Sequence, residues 1–203
     1  ATILSKGQIN GLRFAPTFHH NKSGTPDNIK TVELIYDAGG NVKTKFIPHE
    51  EPSANREQVT PEQRRGAVDS LTGSLQIIGN IAAKQSCKIT VPTFDGKRLF
   101  DIVGEDAGIK YTNPDDYGIY KGDARKCDLR FVMRAGKWKD GEHSRFWQTA
   151  DGKNGRAPFS IWFAKVSPEL PELAVRAESN SVWGWIMVHL SGWHYATPEE
   201  LKS

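Results

Sequence analysis

Long apolar runs are missing from this chain of 203 residues. No segment approaches the roughly 18 consecutive apolar residues that a membrane-spanning helix needs. The first residues, ATILSKGQ, lack the basic segment followed by an apolar one that marks a signal peptide. We therefore expect no membrane-spanning helix, and the chain is either cytosolic or exported with its signal peptide removed.

An excess of one charge is also missing. The 27 Lys and Arg residues and the 24 Asp and Glu residues give a formal net charge of +3, too small to indicate nucleic-acid binding. Asp123 and Asp128 interrupt the densest basic segment, residues 121–139, as is typical of a solvated strand face. The 37% of hydrophobic residues favours a folded protein. We expect one domain, residues 1–203, without a nucleic-acid partner.

Cysteine is scarce, with Cys87 and Cys127 the two in the sequence. Neither belongs to a CxxC motif or has a histidine at metal-ligand spacing, which argues against a zinc site. A disulfide between them would restrict the unfolded chain by about 4 kcal/mol and would imply an oxidising compartment. Two buried free thiols are the alternative that the residues leave open.

Signatures of common catalytic sites are missing as well. The chain contains no HExxH, no Walker-type glycine loop and no GxGxxG. Ser70, Ser74 and Ser191 lack the glycine pattern of a nucleophile elbow. We predict a non-enzymatic protein without catalytic residues or a cofactor. An enzyme of an unrecognised type, using Asp101 or His189, is the alternative.

Histidines that could bind a metal occur at two places. His19 and His20 are adjacent, so in a strand they would point to opposite faces and could not easily share one ion. His49 stands beside Glu50 and Glu51 in a polar segment. We predict solvated loop histidines and no metal site.

The pattern that is present is mostly that of β-strands. TVELIY (31–36) alternates, DAGGN (37–41) turns the chain, and a second alternating run follows, which predicts a hairpin. Residues 87–102 predict another hairpin with its turn at Asp95-Gly96, and Pro92 favours an edge strand or a bulge. The later runs are DLRFVMR, FSIWFAKV, LAVRAE and VWGWIMVHL. They predict a mostly β (α+β) protein with a curved antiparallel sheet or half-barrel.

One substantial helix is predicted over residues 69–82, packed on that sheet. Asp69 can serve as its N-cap. Apolar residues recur at spacings of three and four and predict one buried stripe: Val68, Leu71, Leu75, Ile78 and Ala82. Just before it, TPEQRRG predicts a short helix with a capping box.

The run VWGWIMVHL (182–190) is apolar on both faces of a strand. It predicts a central strand covered on both sides, a strand that lines a hydrophobic groove, or a partner-binding surface. The candidate lining residues of such a groove are aromatic and methionine side chains of the later strands: Phe131, Met133, Trp162, Trp183, Trp185 and Met187.

Four segments occur in an order that resembles one family: RRGAVDSLT (64–72), TVPTFDGKRLFDI (90–102), YGIYKGDARKC (117–127) and the closing IWFA, LPELAVRAE and WIMVHL. The chain resembles the bacterial exported family catalogued as domain of unknown function three-one-zero-eight, in its alphaproteobacterial form. The resemblance covers roughly residues 30 to 191.

The resemblance implies a periplasmic protein of a Gram-negative bacterium, exported with a signal peptide that is removed. It also implies a disulfide between Cys87 and Cys127. The family's architecture is similar to the curved sheets of periplasmic lipoprotein carriers, whose concave face holds acyl chains. No catalytic residues come with the family.

Two parts of the chain depart from the family's pattern. Residues 1–29 read as a shortened front segment, which would leave a sheet edge for a partner. Residues 192–203 pass beyond the pattern and read as a C-terminal docking tail. Our leading hypothesis is a non-enzymatic periplasmic binding or envelope-assembly protein that holds a lipid or another hydrophobic ligand on the concave sheet face. The alternative is a structural or accessory subunit of a larger cell-envelope complex.

Overall fold

The structure of the chain is a computed structural model. It describes residues 2–11, 13–84, 86–113, 118–139, 159–181 and 184–194, without the side chains of residues 84, 180, 181, 184 and 185. Trp183, the side chain of Trp185 and residues 195–203 of the predicted tail lie outside the described part.

The first sheet has four antiparallel strands in the order of the chain. They are β1 (Thr2–Asn10), β2 (Arg13–Thr25), β3 (Asn28–Tyr36) and β4 (Val42–Ile47). The predicted hairpin of β3 and β4 is confirmed, with Tyr36 opposite Val42. The predicted front segment, residues 1–29, contains all of β1 and β2 and the first two residues of β3.

The second sheet has six antiparallel strands, again a meander. They are β5 (Ile89–Phe94), β6 (Leu99–Thr112), β7 (Gly122–Ala135), β8 (Phe159–Ala164), β9 (Leu173–Ser181) and β10 (Gly184–His189). The second predicted hairpin is therefore confirmed, and β5 with Pro92 is an edge strand. Neither sheet is closed in the described part. The strands form two sheets, whereas the sequence predicted one.

Two helices connect the sheets in sequence. The short helix α1 (Pro61–Arg64) begins with the predicted capping box, in which Thr60 and Gln63 bond each other's backbone N–H groups. The main helix α2 (Ser70–Lys84) lies between the two sheets and contacts β1, β2 and β5. Asp69 caps it, because its carboxylate accepts a hydrogen bond from the backbone N–H of Thr72 at 2.9 Å. A mostly β fold with one main helix packed on a sheet is confirmed.

The predicted apolar stripe of α2 is only partly buried. Val68 belongs to the core and Ile78 packs against it, but two other members of the stripe do not. Leu75 is 41% exposed and Ala82 is also exposed, whereas Ile77 and Ile81 are buried in the core against the second sheet. The reason is that α2 is covered on two sides. Gly73 lies against β5 and β6 on one side, and on the other Gly79 lies against Phe14 of β2.

Cys87 and Cys127 form the predicted disulfide, with their Cα atoms 5.5 Å apart. It joins the segment before β5 to β7 across the intervening strand β6. Gly104 of β6 makes this crossing possible, because a Cβ atom there would collide with the carbonyl oxygen of Cys87. Both cysteines are fully buried in the core between α2 and the second sheet.

The central position predicted for VWGWIMVHL is wrong. Its described part, β10, pairs with β9 and is at the edge of the second sheet among the strands that the structure describes. Ile186, Met187 and Val188 are each about half exposed. An apolar strand sequence favours burial, but the position of a strand in a sheet depends on which other strands pair with it.

Candidate functional site

An apolar groove runs between α2 and the second sheet, with a volume of about 270 Å³. We call it the helix–sheet groove. Helix α2 contributes Ser70, Ser74, Ile77 and Ile78. Strands β6, β7 and β8 contribute the other wall, which consists of Phe100, Ile102, Leu129, Phe131, Phe159 and Ile161. All ten lining residues are uncharged.

The sheet wall of the groove follows from the period of two in β-strands. Ile102 is opposite Phe131 and Leu129 is opposite Phe159, so these side chains share the face that looks at α2. Phe100 and Phe131 meet edge to face, with ring centroids 5.9 Å apart. Phe131 and Phe159 are only half-buried, because α2 covers only part of this face.

The groove stays open on the side of α2 because two of its lining residues, one turn apart on the helix, are small. Ser70 and Ser74 are exposed, and they face the sheet where a larger side chain would fill the space. The Ser74 hydroxyl donates to the backbone carbonyl of Ser70 at 2.9 Å. Since this donor is already used, Ser74 adds little polarity to the groove.

The predicted lining residues do not all share one face. Phe131 lines the groove, and Met133 packs beside it on the same face of β7. Trp162 lies on the opposite face of the second sheet, with Ala124, Ala164 and Val175. Trp183 and the side chain of Trp185 lie outside the described residues.

Trp162 is 8% exposed and is held between two cations. The Lys126 ammonium lies 5.4 Å and the Arg176 guanidinium 5.3 Å from its ring centroid. Met187 is on the same face as Trp162, and its sulfur lies 3.5 Å from an amino group of Arg176. This face of the sheet is therefore a packed cation–aromatic surface and is separate from the helix–sheet groove.

The prediction of solvated loop histidines is wrong for His19 and His20, which lie in strand β2. His20 pairs with Glu33 of β3 at 3.5 Å, and the exposed His49 pairs with Glu51 at 3.1 Å. His19 points to the opposite, buried face of β2, as predicted for adjacent strand residues. In the part of the chain that the structure describes, no three His, Cys, Asp or Glu side chains are grouped to hold a metal ion.

Sequence reasoning missed a group in which a half-buried serine meets a buried histidine and a buried aspartate. Ser5 of β1, His19 of β2 and Asp69 before α2 are far apart in sequence and meet where the first sheet contacts the helix. The Ser5 hydroxyl lies 2.8 Å from both His19 Nδ1 and an Asp69 carboxylate oxygen. Nδ1 is 3.0 Å from the same carboxylate. No sequence motif marks the group, because each member is on a different element.

The geometry of this group differs from that of a hydrolytic triad. In a triad the aspartate bonds one imidazole nitrogen and the serine bonds the other, so that the histidine can take the serine proton. Here Ser5 and Asp69 both bond Nδ1 of His19. Since the Ser5 hydroxyl proton goes to Asp69, Nδ1 is the nitrogen that donates. The group therefore links β1, β2 and α2 rather than activating a nucleophile.

Asp69 is fully buried and remains ionised at neutral pH. Burial by itself raises its pKa, but the hydrogen bonds from His19, Thr72 and Ser5 outweigh burial and lower the pKa to about 2. Burial raises the pKa of Tyr36, and the negative charge of Asp69 raises it further, so the Tyr36 hydroxyl stays neutral.

A scan against protein-family models found no match for this chain, and neither curated proteins nor solved structures gave one. Among the described residues, no helix is both long and apolar enough to cross a membrane. The family resemblance of the four sequence segments stays a prediction.

Proposed function

We propose that this protein is a non-catalytic binding protein that holds one apolar chain, such as the acyl chain of a lipid, in the helix–sheet groove. The observation that supports this proposal is a groove with ten uncharged lining residues that stays open beside a well-packed core. Its volume of about 270 Å³ is slightly below the roughly 300 Å³ at which drug-sized sites begin. A single chain therefore suits it better than a ring system.

The disulfide indicates an oxidising compartment, because such bonds persist there and are rare in reducing cytosol. The periplasm is the compartment that we propose, in keeping with the family resemblance. A carrier or an envelope-assembly protein in that compartment would have to shield an acyl chain from water, which is what an apolar groove does.

Blocking the groove tests the proposal. Ser74→Leu places an apolar side chain in the gap between helix and sheet, where it takes up space that the ligand needs. We expect it to weaken binding of the linear polyene fluorophore cis-parinarate at least about tenfold, the effect of no longer burying a part of the chain as large as one apolar side chain. Decanoate should displace the fluorophore from the wild type. Fluorescence titration gives both affinities.

Ala83→Leu is the matched control, because residue 83 is exposed on the same helix and does not line the groove. It adds a larger apolar side chain without blocking the site, so we expect it to bind like the wild type. Equal affinities for the wild type, Ser74→Leu and Ala83→Leu would contradict the proposed site.

The exposed edge strand β10 favours a second candidate function, an accessory subunit of a cell-envelope complex. Ile186, Met187 and Val188 present apolar surface at a sheet edge to which a partner strand could add. Native mass spectrometry of the protein from its own host separates the two functions. A lipid-sized extra mass supports the groove, and a protein-sized extra mass supports the subunit.

A further inference from the structure

A second cleft, of about 300 Å³, lies between the polar segment after β4 and the turn that joins β5 to β6. We call it the arginine cleft. Its walls combine cationic and aromatic side chains, chiefly Phe46, Arg56, Arg64, Phe94, Lys97 and Trp138. It shares no lining residue with the helix–sheet groove.

The two acidic residues that line the arginine cleft, and Asp95 in the turn beside it, are paired with cations other than Arg56 and Arg64. Glu50 bonds Lys30 at 2.9 Å and also bonds Lys97, and these bonds lower the pKa of Glu50 to about 2. Glu51, which is largely exposed, pairs with His49. The carboxylate of Asp95, in the turn, is bound by Arg98.

Two guanidinium groups in the cleft are left without a carboxylate partner among the described residues. Arg56 donates to the carbonyl oxygen of Gly136 at 3.0 Å and stacks on the Trp138 ring at 4.0 Å. Arg64 lies 5.4 Å from the centroid of the Phe94 ring, and its buried Nε has no hydrogen-bond partner in the described part. Burial lowers the pKa of both arginines, a sign that both are partly desolvated.

This arrangement has the chemistry of an anion site with apolar walls. A guanidinium stacked on a ring keeps its N–H donors in its own plane, where they can bond a carboxylate. The lining of the cleft carries a net charge of +1, because it has three cations and two carboxylates: Arg56, Arg64 and Lys97, and Glu50 and Glu51. A net charge of +1 suits a monoanion better than a dianion. The rings of Phe46, Phe94 and Trp138 suit an apolar group beside that anion.

We propose that the arginine cleft binds a small aromatic carboxylate, with the carboxylate on Arg56 and Arg64 and the ring among Phe46, Phe94 and Trp138. This site is independent of the groove and of the function proposed for it. A protein with both would hold an apolar chain at one site and bind a soluble anion at the other.

Two probes that differ only in charge test the site. Phenylacetate and its neutral amide, phenylacetamide, are titrated into the full chain by calorimetry. We expect phenylacetate to bind at least about tenfold more tightly, the usual gain from a charge-assisted bond at a guanidinium. Equal affinities, or no binding of phenylacetate at millimolar concentration, would overturn the proposal.

Adjacent arginines provide a matched pair of variants. Arg64→Gln should weaken phenylacetate about tenfold. Arg65→Gln makes the same change of charge at an exposed residue that bonds Asn41 at 3.0 Å and does not line the cleft, so it should bind like the wild type. Similar losses of phenylacetate affinity in both variants would show only a general effect of charge and would overturn the proposed site.

Folding and the groove are checked separately. Arg56→Gln is the second cleft variant, used if Arg64→Gln does not fold, and the same loss is expected from it. Ser74→Leu should leave phenylacetate binding unchanged, which distinguishes failure of this site from failure of the groove. A folded Arg56→Gln or Arg64→Gln that binds phenylacetate like the wild type would contradict the proposal.

Discussion

Asp69 connects three elements through one carboxylate. It caps α2 through the backbone N–H of Thr72, accepts the Thr72 hydroxyl at 2.7 Å, and bonds Ser5 of β1 and His19 of β2. A buried charge with this many donors is well solvated by the protein, whereas the same charge without them would be very costly. We therefore expect the first sheet to dock on α2 chiefly through this residue.

The pH dependence of stability tests that role. The pKa of Asp69 is about 2 in the folded protein and 3.8 in the unfolded chain. The contribution of Asp69 to stability is therefore complete above about pH 4 and is lost as the pH falls towards 2. The loss is about 2 kcal/mol of the free energy of unfolding. Urea unfolding of the wild type and of Asp69→Asn at pH 6 and pH 2.5 measures it.

Asp69→Asn should be less stable at pH 6 by about 2 kcal/mol and should show a smaller fall between the two pH values. Asp27→Asn, at an exposed turn between β2 and β3, is the control and should follow the wild type. Parallel curves for the wild type and Asp69→Asn would mean that the buried carboxylate contributes little to stability.

At the scale of elements, α2 is a helix whose buried side depends on its neighbours. Sequence periodicity places Leu75 in the core, but the structure buries Ile77 and Ile81 and leaves Leu75 41% exposed. Asn80 is also buried, which its polar side chain tolerates because the amide donates to the backbone carbonyl of Ser86 at 2.8 Å. A helix between two sheets has two covered sides, so a single apolar stripe describes it poorly.

Truncation of two α2 residues distinguishes the two descriptions. Ile81→Ala should lower the free energy of unfolding by about 3 kcal/mol, because it leaves a cavity in the core. Leu75→Ala should cost less than about 1 kcal/mol, as exposed positions usually do. Chemical unfolding at neutral pH measures both, and a larger loss for Leu75→Ala would favour the stripe read from the sequence.

At the scale of the whole molecule, the disulfide joins the second sheet to the segment that follows α2. Its two cysteines are 40 residues apart, and closing a loop of that length restricts the unfolded chain by about 4 kcal/mol. The Cys87→Ala, Cys127→Ala double variant should therefore unfold at clearly lower urea concentration. A loss below about 1 kcal/mol would contradict this estimate.

Reduction provides a second measurement of the same bond. Both sulfur atoms are buried, so a phosphine reductant should react slowly with the folded protein and quickly once urea unfolds it. Mass spectrometry after alkylation counts the free thiols, and fast reduction of the folded protein would show that this part of the core opens readily.

Much of the fold was predictable from the sequence, because turns and caps are decided locally. The residues of DAGGN and of the Asp95-Gly96 turn set the two hairpins, and Asp69 and Thr60 set the starts of the helices. The candidate site was less predictable. Of the six residues predicted to line a groove, Phe131 does line it, and Trp162 lies on the other face of the sheet.

The sequence by itself determined the elements, since hairpins and helix caps depend on residues a few positions apart. It also supplied the two cysteines whose bond indicates an oxidising compartment. Only the tertiary structure decided that there are two sheets, that β10 is an edge, that Ser5, His19 and Asp69 meet, and that Ser70 and Ser74 leave a groove open. These features depend on which distant surfaces pack together, and the side chains of one strand or helix do not record that choice.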